Sequence, residues 1–295
     1  LIGGLYWKEL ARTQTVDMPR FWIRRWFRTL PPYFAAMIVF YAAVYFLDGA
    51  PFDWRYLFFL QNYDPRIPWF AASWSLCIEE HFYLALPLVL LLLIRTRLPM
   101  IWLLLALTLI SPLLRLMVDA DVVTTAYDGT FGAPRTSTHL RFDGLAIGVL
   151  LAYLHRSGHA AWPILSRLSK ILIWPLLAAV LTIPTWNSVA TFYLGYALVN
   201  VFCGCMLLAL ATSAPLAVAR WRLTYWVALW SYSIYLSHTM IIRGYVEVLT
   251  DRPALWLPTE APLLIALCLI AGFFGYILIE RPSMVLRDRF FPKHA

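Results

Sequence analysis

The sequence predicts an all-α, multi-pass membrane bundle, and three observations predict it. First, the 295 residues are 61% hydrophobic and only 14% charged, where soluble domains average about 25% charged. Second, the apolar residues gather into about eight runs, each long enough to be read as a membrane span. Third, the 24 Lys and Arg residues divide in register with those runs. The N-terminal stretch, 95–97, 155–170, 220–222 and the tail hold 17 of them, and the alternate loops hold four: Arg55, Arg66, Arg135 and Arg252. Arg115, Arg141 and Arg243 lie within spans. Such a split is what the positive-inside rule requires, so both ends of the chain are expected in the cytoplasm. The same rule explains the net charge of +8 without nucleic acid. The bilayer is therefore the first expected partner, and the whole of 1–295 reads as one membrane-embedded domain.

Along the chain, Leu1 to Leu5 is a short apolar stub. A basic amphipathic stretch follows, with Lys8, Arg12, Arg20, Arg24, Arg25 and Arg28 among Phe21, Trp22, Trp26 and Phe27. Pro31-Pro32 is expected to end it. The first span is read at Tyr33–Leu47, and the 48–70 loop mixes Asp48, Asp53 and Asp64 with Arg55 and Arg66. The second span is Trp74–Ile94, closed by the basic turn at Arg95 and Arg97. The third, Leu98–Val118, is expected to be broken by Pro112 and carries Arg115 near its end. Asp119–His139 reads as an acidic loop. The fourth span is Leu140–Leu154, with Arg141 and Asp143 at its start. His155–Lys170 is basic. The fifth span is Ile171–Pro184, the sixth Thr191–Ala211, the seventh Tyr225–Val246 and the eighth Ala261–Ile279, before a basic tail.

Cys77, Cys203, Cys205 and Cys268 all fall in apolar segments and read as small hydrophobes. Cys203-Gly-Cys205 has neither the spacing nor the partners of a zinc site. No metal is expected.

The chemistry-bearing residues are those an apolar run should exclude. Glu79 and Glu80 sit inside the second run, where a charge costs about 2.5–3.5 kcal/mol on insertion scales. Glu79 lies five residues beyond Trp74, about 7–8 Å down the helix. Arg141 and Asp143 open the fourth span from the same side, and His238 lies about 20 Å into the seventh from its inner end. All four fall in the outer half of the membrane. Two readings fit them: a polar site within the bundle, or ion pairing such as Arg141 with Glu79. Arg25 and Arg28 are three apart, on one helix face. They suit a phosphate clamp, because the guanidinium fork matches phosphate oxygens. They equally suit a juxtamembrane anchor on anionic lipid. A proton-coupled transporter or flippase would also use intramembrane Glu, Asp and His, but has no need of a cytoplasmic Arg-x-x-Arg. A non-catalytic membrane remnant is the third reading.

Five motifs, in order, resemble acyltransferase family 3, the polytopic membrane O-acyltransferases. Phe21-Trp-Ile-Arg-Arg-Trp-Phe-Arg28 with Pro31-Pro-Tyr33 is similar to the family's arginine motif and Pro-x-Tyr entry. Trp74-Ser-Leu-Cys-Ile-Glu79-Glu-His-Phe-Tyr83 resembles its WSL-x-x-E-x-x-FY signature. Arg141-Phe-Asp143-Gly-Leu-Ala-Ile-Gly148 resembles R-x-D-x-L-x-x-G, Ser231-Tyr-Ser-Ile-Tyr-Leu-Ser-His238 resembles SYSIYL-x-H, and Glu280-Arg-Pro282 resembles the closing E-x-P. The resemblance covers nearly the whole chain. It implies transfer of an acyl group, often acetyl, from cytoplasmic acyl-CoA to a hydroxyl of a glycan or a secreted metabolite, at the inner membrane. It implies that Arg25 and Arg28, with Arg24 beside them, hold the CoA phosphates. Glu79 would orient or activate, with Asp143 and His238 as further candidate catalytic residues and Trp74 and Arg141 towards the acceptor. The family has ten core helices, the first carrying its catalytic His and the second ending in FF-x-x-SGF. Leu1-Ile-Gly-Gly resembles the residues just after that motif, and no histidine here matches the catalytic position. The resemblance thus implies a chain lacking the first two helices and inactive alone.

The charge pattern makes a direct prediction about topology. Reporter fusions at Ser157 and Asp128 should report opposite sides of the membrane; the same side for both would sink the eight-span arrangement.

Overall fold

The computed structural model describes residues 17–67, 69–96, 99–127, 132–213, 221–245 and 257–291. Lys8, Arg12, Arg97, Arg220, Arg252 and Lys293, all in the Lys and Arg count, lie outside the described residues, as do the reporter position Asp128 and Leu1-Ile-Gly-Gly. Among the described residues there is no strand; the elements are helices joined by short 3-10 and π turns. We number them α1 (Met18–Asp48), α2 (Trp74–Thr96), α3 (Met100–Leu116), α4 (Ala120–Tyr127), α5 (Asp143–Arg156), α6 (Ala161–Thr182), α7 (Tyr196–Ala211), α8 (Arg222–Gly244), α9 (Leu257–Gly275) and α10 (Arg281–Phe290).

Each of the eight apolar runs, over its described residues, falls mainly on a helix. Among the described residues, five segments are long and apolar enough to cross a bilayer: Met18–Phe46, Ala71–Leu91, Ala161–Thr185, Ser188–Ala211 and Glu260–Phe290. A sixth results if Ile101–Leu116 and Ala120–Tyr127, bent by 88° to one another, form one span. Two of the eight expected spans fall outside this set, for different reasons. α5 has 14 residues, about 21 Å of helix against a hydrocarbon core of about 30 Å. α8 has the length, at 23 residues, but intersperses Thr224, Ser231, Ser233, Ser237, His238 and Thr239 among its apolar positions.

Four local expectations are corrected. Pro31-Pro32 does not end the basic stretch: α1 runs through both prolines, from an N-cap in which Asp17 accepts from the Arg20 N–H at 3.1 Å to a left-handed Gly49 cap. Two prolines remove two amide donors from the ladder, a loss that helices in membranes tolerate when neighbouring groups re-satisfy the freed backbone. Pro112 likewise sits inside an unbroken α3, and the sharp bend comes after Leu116. Asp119–His139 is not simply a loop, because α4 occupies its first half. The basic 155–170 stretch is partly helical, since α6 begins at Ala161.

The described residues cluster into two compact units. One comprises Phe59–Ile67 and 74–213. In it α3 packs along α5, α5 on α7, and α6 along α7. Gly144 faces Asn200, and Gly204 faces Ile147 at 3.1 Å from where a Cβ would stand, so α5 and α7 meet closely. Val123, Leu140 and Phe192 form a buried core against Leu114, Val118, Tyr127 and Tyr196.

The other unit comprises Asp17–Phe58, 69–73, 221–245 and 257–291. Its core includes a stack of rings: Tyr56 lies on Trp69 at 4.0 Å and Phe40 on Phe70 at 4.4 Å, while the Tyr33 hydroxyl donates to the Tyr56 carbonyl at 2.8 Å. α8 pairs along α9, and α1 packs against α10. Where α8 and α9 cross, Gly272 sits against Ile234 and a Cβ on Gly275 would stand 3.1 Å from Ser233. A five-residue π turn, Tyr276–Glu280, joins α9 to α10.

Candidate functional site

In the first unit the polar residues assemble around the start of α5. Asp143 is its first residue, 2% exposed, and its Oδ2 accepts from the Arg115 Nη2 of α3 at 2.9 Å. Arg115 is completely buried and also donates through Nη1 to the Leu140 carbonyl at 2.6 Å. A guanidinium is an apt partner here, because one planar group serves the carboxylate and the carbonyl together. With no water to turn to, Asp143 and Arg115 are each tolerable only because of the other.

That pair fixes the chain two residues earlier, where Arg141 lies. The Arg141 guanidinium stands 3.5 Å from the Tyr196 ring centroid and 5.1 Å from that of Trp74. A cation over an aromatic face is held by the ring quadrupole, and more strongly when water is displaced. The Tyr196 hydroxyl is 2.5 Å from that of Tyr127, and Arg135 lies 4.0 Å over the Tyr127 ring. Trp74 and Arg141, expected on the acceptor side, are thus brought together in one half-buried aromatic cradle.

Glu79 lies half-buried on α2, within reach of the Tyr83 hydroxyl, which donates to its Oε2 at 3.4 Å. Its neighbour Glu80 is buried. On the next residue, His81 Nδ1 is 2.7 Å from the Thr138 hydroxyl, which also accepts from Asn62 at 2.8 Å. The ring of the exposed Tyr63 stacks on His139 at 5.8 Å.

The second unit holds the remaining candidates. Arg24 donates to Asp288 at 3.0 Å and to the Phe291 carbonyl, tying α1 to the end of the chain described here. Arg25 is half-buried one residue on, and Thr29 donates to its carbonyl at 3.3 Å. Arg28 is the most accessible of the three: its side chain is 55% exposed, with Nε 3.9 Å from Glu280 Oε1. His238 on α8 donates through Nδ1 to the Tyr235 carbonyl at 2.6 Å. A carbonyl can only accept, so the neutral ring carries its proton on Nδ1 and leaves Nε2 free to accept.

A family model described as an acyltransferase domain matches residues 3–281. The chain belongs to acyltransferase family 3. No curated protein and no solved structure matches it significantly. It is accordingly a multi-pass membrane acyltransferase domain, and the five motifs can be followed to their places. The WSL and R-x-D segments meet in the first unit, through Trp74 and Arg141. The arginine, SYSIYL and E-x-P segments meet in the second. Arg115 is the residue that motif reading missed. Its signal was present, since an arginine inside an apolar run demands a buried acid, but no spacing connects residue 115 with 143.

Breaking the buried pair should be costly. Arg115→Ala or Asp143→Asn should each destabilise the folded protein by about 3–5 kcal/mol, by leaving one buried partner unmatched. Replacing both, as Arg115→Met with Asp143→Leu, should recover much of that loss. Thermal unfolding in detergent checks this, and single variants as stable as wild type would contradict the pairing.

Proposed function

We propose that this acyltransferase moves an acyl group, acetyl in the simplest case, from cytoplasmic acyl-CoA to a hydroxyl of a glycan or comparable acceptor at the inner membrane, with both termini on the cytoplasmic side. The observation that carries the donor assignment is the pair Arg25 and Arg28, one turn apart on α1, with Arg28 half-exposed. A CoA donor brings phosphates, and paired guanidiniums bind these at any physiological pH.

The reaction itself is acyl substitution. The acceptor oxygen attacks the thioester carbonyl, the new C–O bond forms, the C–S bond breaks, and CoA leaves as a thiolate that takes up the proton the acceptor hydroxyl has given to the base. The proton lost by the acceptor hydroxyl goes to a base, for which imidazole is the best matched side chain at neutral pH. Glu79, with its Tyr83 contact, supplies orientation or activation in this scheme. Arg141, held over Tyr196 and Trp74, offers the acceptor a fixed cation beside an aromatic face. Asp143 acts through Arg115 on the placement of Arg141, and His238 presents Nε2 on α8.

The arginine series tests the donor half. With full-length protein in detergent, Arg25→Ala or Arg28→Ala should weaken acetyl-CoA binding roughly ten- to a hundredfold, the equivalent of one charge-assisted hydrogen bond. Arg28→Lys keeps the charge, loses the fork and should recover only part of it. If all three variants bind donor like wild type, the arginines are membrane anchors instead.

A further inference from the structure

Three of the family segments converge on one node in the second unit, and one of them, E-x-P, has no part in the scheme above. Arg28 comes from the arginine segment, Ser233 from the SYSIYL segment and Glu280 from E-x-P. Glu280 is 1% exposed. Its Oε2 accepts from the Ser233 hydroxyl at 3.0 Å, and its Oε1 faces Arg28 Nε at 3.9 Å. The next residue of the SYSIYL segment back from Ser233, Tyr232, donates its hydroxyl to the Thr29 carbonyl at 2.8 Å, holding α1 beside Arg28.

The backbone is shaped to make this node. Gly275 lets α8 come close enough for Ser233 to reach over α9, since a Cβ there would stand 3.3 Å from its hydroxyl. The π turn Tyr276–Glu280 ends on Glu280 itself. Such wide turns are rare and collect at functional sites.

We propose that Glu280 is the positioning residue of Arg28. It holds the guanidinium by its Nε edge and leaves the terminal nitrogens for the donor's phosphates, with Ser233 as its anchor. This rests on the reading of Arg25 and Arg28 as the donor clamp. Three observations favour it. No described residue bonds the terminal nitrogens of Arg28, whose side chain is half in the open. The carboxylate is buried and meets the guanidinium at its Nε edge, not at its terminal nitrogens. A serine hydroxyl alone does not offset a buried carboxylate, so the charge at 280 requires the arginine. A merely structural residue would be served as well by glutamine, which keeps the shape and the Ser233 hydrogen bond.

Glu280→Gln is therefore the decisive variant. Acetyl-CoA binding and steady-state turnover would be measured on full-length wild type, Glu280→Gln, Arg28→Ala and the double variant. Glu280→Gln should weaken acetyl-CoA binding about five- to tenfold. It should raise KM for donor with kcat at saturation little changed, and add nothing once Arg28 is alanine. Ser233→Ala, which removes an anchor but no charge, should act in the same direction, and it carries the test if Glu280→Gln fails to fold. Donor binding by Glu280→Gln equal to or tighter than wild type overturns the proposal, as does full additivity with Arg28→Ala. If Arg28→Ala itself binds donor normally, the clamp reading falls, and the positioning role with it. A loss with Arg28→Ala but none with Glu280→Gln removes the positioning role alone.

Discussion

An ionisable group placed among apolar helices must find its partner inside the protein, because the lipid offers none. That constraint governs both units. In one, Arg115 and Asp143 are each nearly inaccessible and joined at 2.9 Å. In the other, Glu280 is sealed against Ser233 with Arg28 at its edge. Burial cost argues against stability as the reason for either carboxylate, since a buried ion pair is commonly no better than well-packed apolar residues of the same volume.

The consequence is a division of the charges. Arg115, Asp143 and Glu280 are spent on partners in the interior. Arg28 and Arg141 are held by those partners, directly or through the backbone, while keeping part of their surface open. A fixed cation with an accessible face is what an anionic donor or a polar acceptor requires, since the cost of ordering the side chain has been met before the ligand arrives. The same division separates Arg24 from Arg28: Arg24 is bonded to Asp288 and the Phe291 carbonyl, while the Arg28 side chain is half-exposed.

Much of this was legible in the sequence because hydrophobic runs and lipid chemistry are local. Each expected span, over its described residues, falls mainly on a helix, and the family is confirmed by the match to residues 3–281. What failed was punctuation. Pro31, Pro32 and Pro112 break helices in water, whereas helices in membranes tolerate prolines, and here α1 and α3 run through them. Within the site, Trp74 and Arg141 were found by motif, yet their meeting depends on Tyr196, an ordinary aromatic in its own run. Arg115 was visible as an anomaly without an address, because its partner lies 28 residues away. Glu280 was visible as a motif without a role, because that role comes from helices crossing at Gly275.

The central claim is that an anionic donor is held through its phosphates by arginines at the start of α1. Comparing acetyl-CoA with S-acetylpantetheine, which carries the same thioester and no phosphate, tests it most directly. Binding to the full-length protein should fall at least about tenfold for the phosphate-free donor, in step with the loss of one or more charge-assisted bonds. Equal affinity for the two donors would contradict the account.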